Sequence, residues 1–171
     1  MIFTIAGKEL KALFASPLAW VVLTFVQIML AYGYLKRIDD FMQIQPQLIQ
    51  MPNPPGITEL VASPVFATTA IIFLFAIPLL AMRLIAEERR NQTMVLLLSA
   101  PISMTEIVLG KFLGLVAFLW LIVGLATLMP LSLLLGGRLD LGLLAGLVVG
   151  VALLAACFSA VALFASCLTA Q

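Results

Sequence analysis

Four long stretches of this chain contain no charged residue and no histidine: Ala12–Leu35, Leu60–Met82, Phe112–Gly137 and everything from Leu141 to Gln171. Each supplies the roughly 20 residues that a helix needs to cross a hydrocarbon core about 30 Å thick. Inside lipid every backbone N–H and C=O has to be satisfied within the segment or within a closed barrel, so uninterrupted apolar runs of this length dictate helices. Composition agrees, with 64% hydrophobic and 10% charged residues, against roughly 45–50% and 25% in soluble domains. The expected fold is all-α and integral to the membrane: one membrane domain over residues 1–171, with spans at 17–35, 62–82, 112–134 and 141–167.

Local punctuation supports the first two spans. Ser16-Pro17 and Ser63-Pro64 each set an N-cap residue before a proline at the first helical position. Pro78 and Pro130 fall inside spans and are expected to kink them. The first apolar stretch is too long for a signal-peptide core of 7–15 residues and no A-x-A-like site precedes Lys36, so this span is expected to be retained. Small residues mark faces where helices approach closely: Gly110 and Gly114 at the head of the third span, and Gly142, Gly146 and Gly150 at spacing four in the fourth. The neighbour is either another span of this chain or a second copy.

Residues 2–14 form a different kind of helix. At 100° per residue Ile2, Phe3, Ile5, Ala6, Leu10, Leu13 and Phe14 share half of the circle, and Thr4, Lys8 and Lys11 take the other half, the pattern of a helix lying in the membrane interface. Glu9 lands inside the apolar arc. It is expected either at the edge of the headgroup layer or in polar contact with a partner. Lys8, Lys11, Arg83, Arg89, Arg90 and Lys111 flank one side of the spans, six cations against Lys36, Arg37 and Arg138 on the other. The asymmetry predicts a cytoplasmic N-terminus. Residues 36–59 are then expected to be an external loop, turn-rich at Met51-Pro-Asn-Pro-Pro-Gly56.

The segment 83–111 is far longer than a connection between helices requires. It opens on the charge cluster Arg83-Leu-Ile-Ala-Glu87-Glu88-Arg89-Arg90 and continues through Thr93-Met-Val-Leu-Leu-Leu-Ser-Ala-Pro101. That second run is too short to span; Thr93 can cap it and Pro101 can end it, which gives a two-turn helix over Met94–Ser99. Ser103-Met-Thr-Glu106 is a capping box, so the next helix is expected to start at Met104. A short helix presented in this way suits the groove of a soluble partner. Read as a simple anchor, the same segment would rest its apolar residues on lipid.

Together these features resemble the ABC-2 type permeases, and most closely their gliding-motility-associated group: Lys8-Glu9-Leu10 with Ser16-Pro17, then Arg83–Arg90, then Thr93 with Leu96–Pro101, then Glu106-Ile-Val-Leu-Gly-Lys111. The resemblance covers essentially the whole chain. It implies a subunit of the bacterial inner membrane with six spans, an N-terminal elbow helix, and a coupling helix between spans two and three that docks on a separate ABC ATPase. ATP and Mg belong to that ATPase, and no cofactor is expected in this chain. Glu87, Glu88, Arg89, Arg90 and Thr93 become the coupling residues, with Ser103 and Glu106 as the caps of the segment. The chain departs from the family pattern at Gln92, where a small turn residue is usual, and at Val95, where an acid is common. Two further spans are implied beyond Gln171, so a longer parent chain is expected.

The residues themselves point to a transporter powered from outside. Neither Gly7-Lys8 nor Gly110-Lys111 has the glycine spacing or following Ser/Thr of a phosphate loop. No Asp, Glu, Lys, Arg or His lies in a proposed span, whereas proton- or ion-coupled carriers place such groups there at a cost of about 2.5–3.5 kcal/mol each. An intramembrane enzyme would need a histidine, paired carboxylates or a Ser/Lys dyad, and the spans offer none of these. Net charge of +1 gives no reason to expect a nucleic-acid partner. Cys157 and Cys167 sit about 15 Å apart on one helix and cannot bond to each other. The eight methionines do not converge with these cysteines as a soft-metal site would require, and are expected to be apolar filler. The expected partners are an ATPase, a second or related permease copy, the lipid bilayer and an unidentified substrate. The alternative reading is a membrane platform that recruits the ATPase without moving a substrate.

Overall fold

The computed structural model describes residues 2–48, 52, 54–90, 104–135 and 139–168. For 83–90 it defines the backbone helix but not the side chains. The described elements are helical: α1 (Ile2–Phe14), α2 (Pro17–Leu48), a π turn (Thr58–Ala62) running into α3 (Ser63–Arg90), α4 (Met104–Leu131) closed by a 3-10 turn (Ser132–Leu135), and α5 (Leu141–Leu168). Four of them are long and apolar enough to cross a membrane.

Helix α2 has 32 residues, about 48 Å at 1.5 Å per residue, against a hydrocarbon core of about 30 Å. Its charge-free part ends at Leu35, so the remainder through Leu48 projects beyond the core as helix. The external loop expected over 36–59 is therefore largely a continuation of the span. The first charge ends a membrane segment without ending the helix, because Lys36–Gln45 contains nothing that breaks one.

Ser63 does not cap α3. It has helical dihedrals, φ −56° and ψ −47°, and its N–H donates to the Thr58 carbonyl five residues back. Pro64 accounts for this: it has no N–H, and its ring would press on the carbonyl four residues earlier in a regular helix. Widening the preceding turn relieves that crowding and lets the helix begin at Thr58. Pro78 remains inside α3. Pro130 sits one residue before the end of α4 and acts as a terminator, after which the chain tightens into the 3-10 turn. At Ser16 the expected cap is present, with the Ala19 N–H donating to its Oγ at 3.4 Å.

The core lies between α2, α3, α4 and α5, where Phe66, Phe73, Ile77, Phe118, Leu119 and Ile122 are fully enclosed. Hydroxyls inside the spans are satisfied within their own helices: Thr69 donates to the Val65 carbonyl, Thr127 to Val123 and Ser159 to Ala155. The end of the bundle remote from α1 is fastened by two bonds between distant segments. The Asp140 N–H donates to Thr58 Oγ1 at 2.9 Å, and Tyr34 Oη lies 2.8 Å from Ser132 Oγ. Asp140 also caps α5, its Oδ1 accepting from the N–H groups of Gly142 and Leu143.

Candidate functional site

The antiparallel course of α2, α3, α4 and α5 gathers α1, the start of α2, the end of α3 and the start of α4 at one end of the bundle. This end holds the residues that the sequence singles out. Glu87, Glu88, Arg89 and Arg90 occupy the last turn of α3, which continues as helix eight residues past Met82. The cluster is thus carried on a helical continuation of the span. Thr93 and Ser103, with the two-turn helix expected between them, lie outside the described residues. Helix α4 does begin at Met104, and Glu106 stands in its first turn, where a carboxylate interacts favourably with the helix dipole.

What α1 does is the main surprise of this end. Its apolar arc is turned largely against α4, not lipid, and the contact is cut by two glycines. A Cβ on Gly110 would come within 2.5 Å of Ile5 Cγ2 and 2.7 Å of Ile5 Cβ. One on Gly114 would lie 2.7 Å from Glu9 Cβ and 3.2 Å from the Ala6 carbonyl oxygen. Only hydrogen fits at either place, so the small-residue pair is the notch in which the N-terminal helix lies. Phe3, at the margin of the arc, is left 86% exposed.

Glu9 is explained by the same contact. Its carboxylate lies 3.5 Å from Lys111 Nζ, and both side chains are only 10% exposed. The polar contact of Glu9 is made within the chain: its counter-charge is on α4, one residue after the first notch glycine. A charge inside an apolar arc calls for an opposite charge on whatever covers that arc. Lys111, at the head of an apolar span, was the signal available. Beyond the pair, Phe14 stacks edge-on against Phe118 of α4 and Trp20 of α2, and Trp20 Nε1 donates to the Phe14 carbonyl at 2.7 Å. Helix α1, the elbow at Ser16 and the first turns of α4 are therefore one packed unit.

Gly142, Gly146 and Gly150 behave differently. A Cβ on Gly146 or Gly150 would meet nothing within 4 Å, and one on Gly142 only its own capping carboxylate. This face of α5 has no neighbour among the described residues. Cys157, on the same helix, is exposed and unpaired. Within the α2 span the Gln27 amide is enclosed yet has no hydrogen-bond partner among the described residues.

Comparison with curated proteins and with solved structures gives no match. A family model does match, over residues 3–171, which takes in the elbow, all four spans and the segment between α3 and α4. That model is the ABC-2 family transporter protein, and this chain belongs to the ABC-2 transporter family.

Proposed function

We propose that this permease works as the membrane subunit of an ATP-driven exporter, with a separate ABC ATPase docking on the end of the bundle formed by α1, the end of α3 and the start of α4. The observation that carries the reading is the unit just described. An extension of α3 bearing Glu87–Arg90 leads towards α4, whose first turns are bound to α1 by a buried ion pair and a glycine notch. A push received by the segment between α3 and α4 would reach two spans directly and the elbow through α4. Such a linkage suits alternating access, in which a partner's ATP cycle biases two arrangements of the spans. ATP and Mg would be held by the partner. The docking end would face the cytoplasm of a bacterial inner membrane, and a second permease copy would complete the translocation path.

Within this reading Glu88 and Arg89 grip the ATPase by charge-assisted contacts. Truncating one member of a desolvated interfacial pair costs about 2–5 kcal/mol, whereas a solvated charge contributes under about 1 kcal/mol. Glu88→Ala or Arg89→Glu should leave membrane insertion intact but reduce co-purification of the ATPase, or uncouple ATP turnover from substrate movement. Neutralising Glu87, Glu88, Arg89 and Arg90 together with no effect on either measurement would reduce the segment to a charged anchor. Recruitment without substrate-dependent turnover in the wild-type complex would favour the platform reading.

A further inference from the structure

Helices α2 and α3 leave a seam between them that changes character along its length. At the end remote from α1 it opens into a cavity of about 190 Å³ lined by Lys36, Arg37, Asp40, Gly33 and Thr68. Gly33 leaves room there, since a Cβ on it would meet nothing within 4 Å. One turn further along each helix, past Val26 and Ile72, the seam becomes an apolar groove of about 540 Å³ with Val22, Phe25, Phe75, Ala76 and Leu79 among its walls. Phe25 and Phe75 are 60% and 72% exposed along it.

The charged side chains lining the cavity, Lys36, Arg37 and Asp40, sum to one positive charge; Asp39, beside them in sequence, lies outside the lining and accepts from Gln43 Nε2 at 3.2 Å. Arg37 and Asp40 pair at 4.0 Å with about half of each side chain exposed, and no ion pair among the described residues engages Lys36. Arg37 and Phe25 are twelve residues apart, about 18 Å along the helix, close to the depth of one leaflet of a bilayer whose core is about 30 Å. Polar cavity and apolar groove thus have the spacing of a lipid head and its chains.

We propose that this seam binds an anionic glycerophospholipid of single net charge, phosphatidylglycerol, with its phosphodiester between Lys36 and Arg37, its glycerol hydroxyls donating to Asp40 and an acyl chain along Phe25 and Phe75. Basic pockets between membrane helices suit phosphate headgroups, because a cation at the interface meets an anion at a depth that the apolar walls fix. The site is independent of ATPase docking, which lies at the opposite end of the bundle.

The test uses the full-length protein purified in mild detergent and equilibrated with equal amounts of phosphatidylglycerol and phosphatidylcholine, the retained lipid being counted by native mass spectrometry. Phosphatidylglycerol should be retained in preference, and Lys36→Gln should lower its retention about fivefold. Lys36→Gln/Arg37→Gln should remove the preference. Ala76→Phe, which fills the groove, should reduce retention of both lipids and leave the head preference unchanged. Equal retention of the two lipids by the wild type, or no change in the double variant, would overturn the proposal. So would displacement of the bound lipid by millimolar inorganic phosphate, which would make the cavity an anion site without a lipid.

Discussion

The start of α4 and the start of α5 both carry glycines four residues apart, yet helix α1 lies in the first notch and nothing among the described residues lies in the second. The difference shows what such spacing means. It places small residues on one helix face and so permits close approach, but the occupant is decided elsewhere. At α4 the occupant is selected by chemistry beside the glycines: Lys111 supplies the charge that Glu9 needs, and Phe118 supplies the ring against which Phe14 stacks. At α5 no charged residue follows Asp140, and the helix is fixed from its end by the Asp140 cap and from its opposite side by α3.

The largest effect should come from breaking the charge pair. Lys111→Met leaves Glu9 buried without a counter-charge, and losing one partner of a buried pair costs about 3–5 kcal/mol. Replacing both, as Glu9→Gln with Lys111→Met, should recover most of that loss, because two uncharged side chains carry no comparable desolvation penalty. Unfolding in mixed micelles of increasing denaturing detergent measures both. Equal stability of the single and double variants would mean that α1 is held by the notch alone.

Filling the notch should cost less. Gly110→Val sets new carbons against Ile5, whose branched side chain has little freedom to move aside, and overpacking of this kind costs about 1–3 kcal/mol. The readout specific to the notch is protease sensitivity at the elbow around Ser16, which should rise as α1 lifts from α4. A destabilised protein with an unaltered elbow would place the strain elsewhere in α4.

Much of this architecture is legible in the residues because lipid leaves the backbone so few options. The four charge-free stretches mark the spans, the half-apolar periodicity of 2–14 marks α1, and the capping box marks the start of α4 at Met104. What escapes has a physical cause in each case. The extension of α2 to Leu48 is invisible to a criterion that ends a span at Lys36, since helix and membrane stop at different residues. The π turn before Ser63 arises from a steric demand of Pro64 on the turn before it, which the usual cap-then-proline pattern conceals. The Glu9–Lys111 pair joins residues from the two ends of a long intervening stretch, so each charge looks anomalous alone and only their pairing explains both. Asp140 was readable as a cap from its position before an apolar run, and the same rule that identified Ser16 applies to it.

Anchoring of α5 at its end can be tested separately from its open face. Asp140→Ala removes the acceptor for two N–H groups in the first turn, and loss of such a cap costs about 1 kcal/mol. The backbone bond from Asp140 to Thr58 Oγ1 needs no side chain at 140, so a loss well above 2 kcal/mol would show that the cap also holds the ends of α3 and α5 together. Hydrogen exchange at Gly142 and Leu143 should rise in the variant while exchange deeper in α5 is unchanged.

The smallest expected effect belongs to the open face itself. Gly146→Ala adds a methyl group where nothing described lies within 4 Å, so no contact opposes it, and alanine is favoured over glycine in a helix interior by up to about 1 kcal/mol. Gly124 on α4 is equally open and provides the control. If both faces are bare in the assembled protein, Gly146→Ala and Gly124→Ala should be neutral or slightly stabilising in the same detergent titration. If a further helix or a second copy lies along α5, the alanine at 146 would lose stability while that at 124 would not, and the loss would be larger for Gly146→Leu. A deficit confined to α5 would thus give its glycine stripe the same meaning as the notch on α4, with the covering helix supplied from outside the described residues.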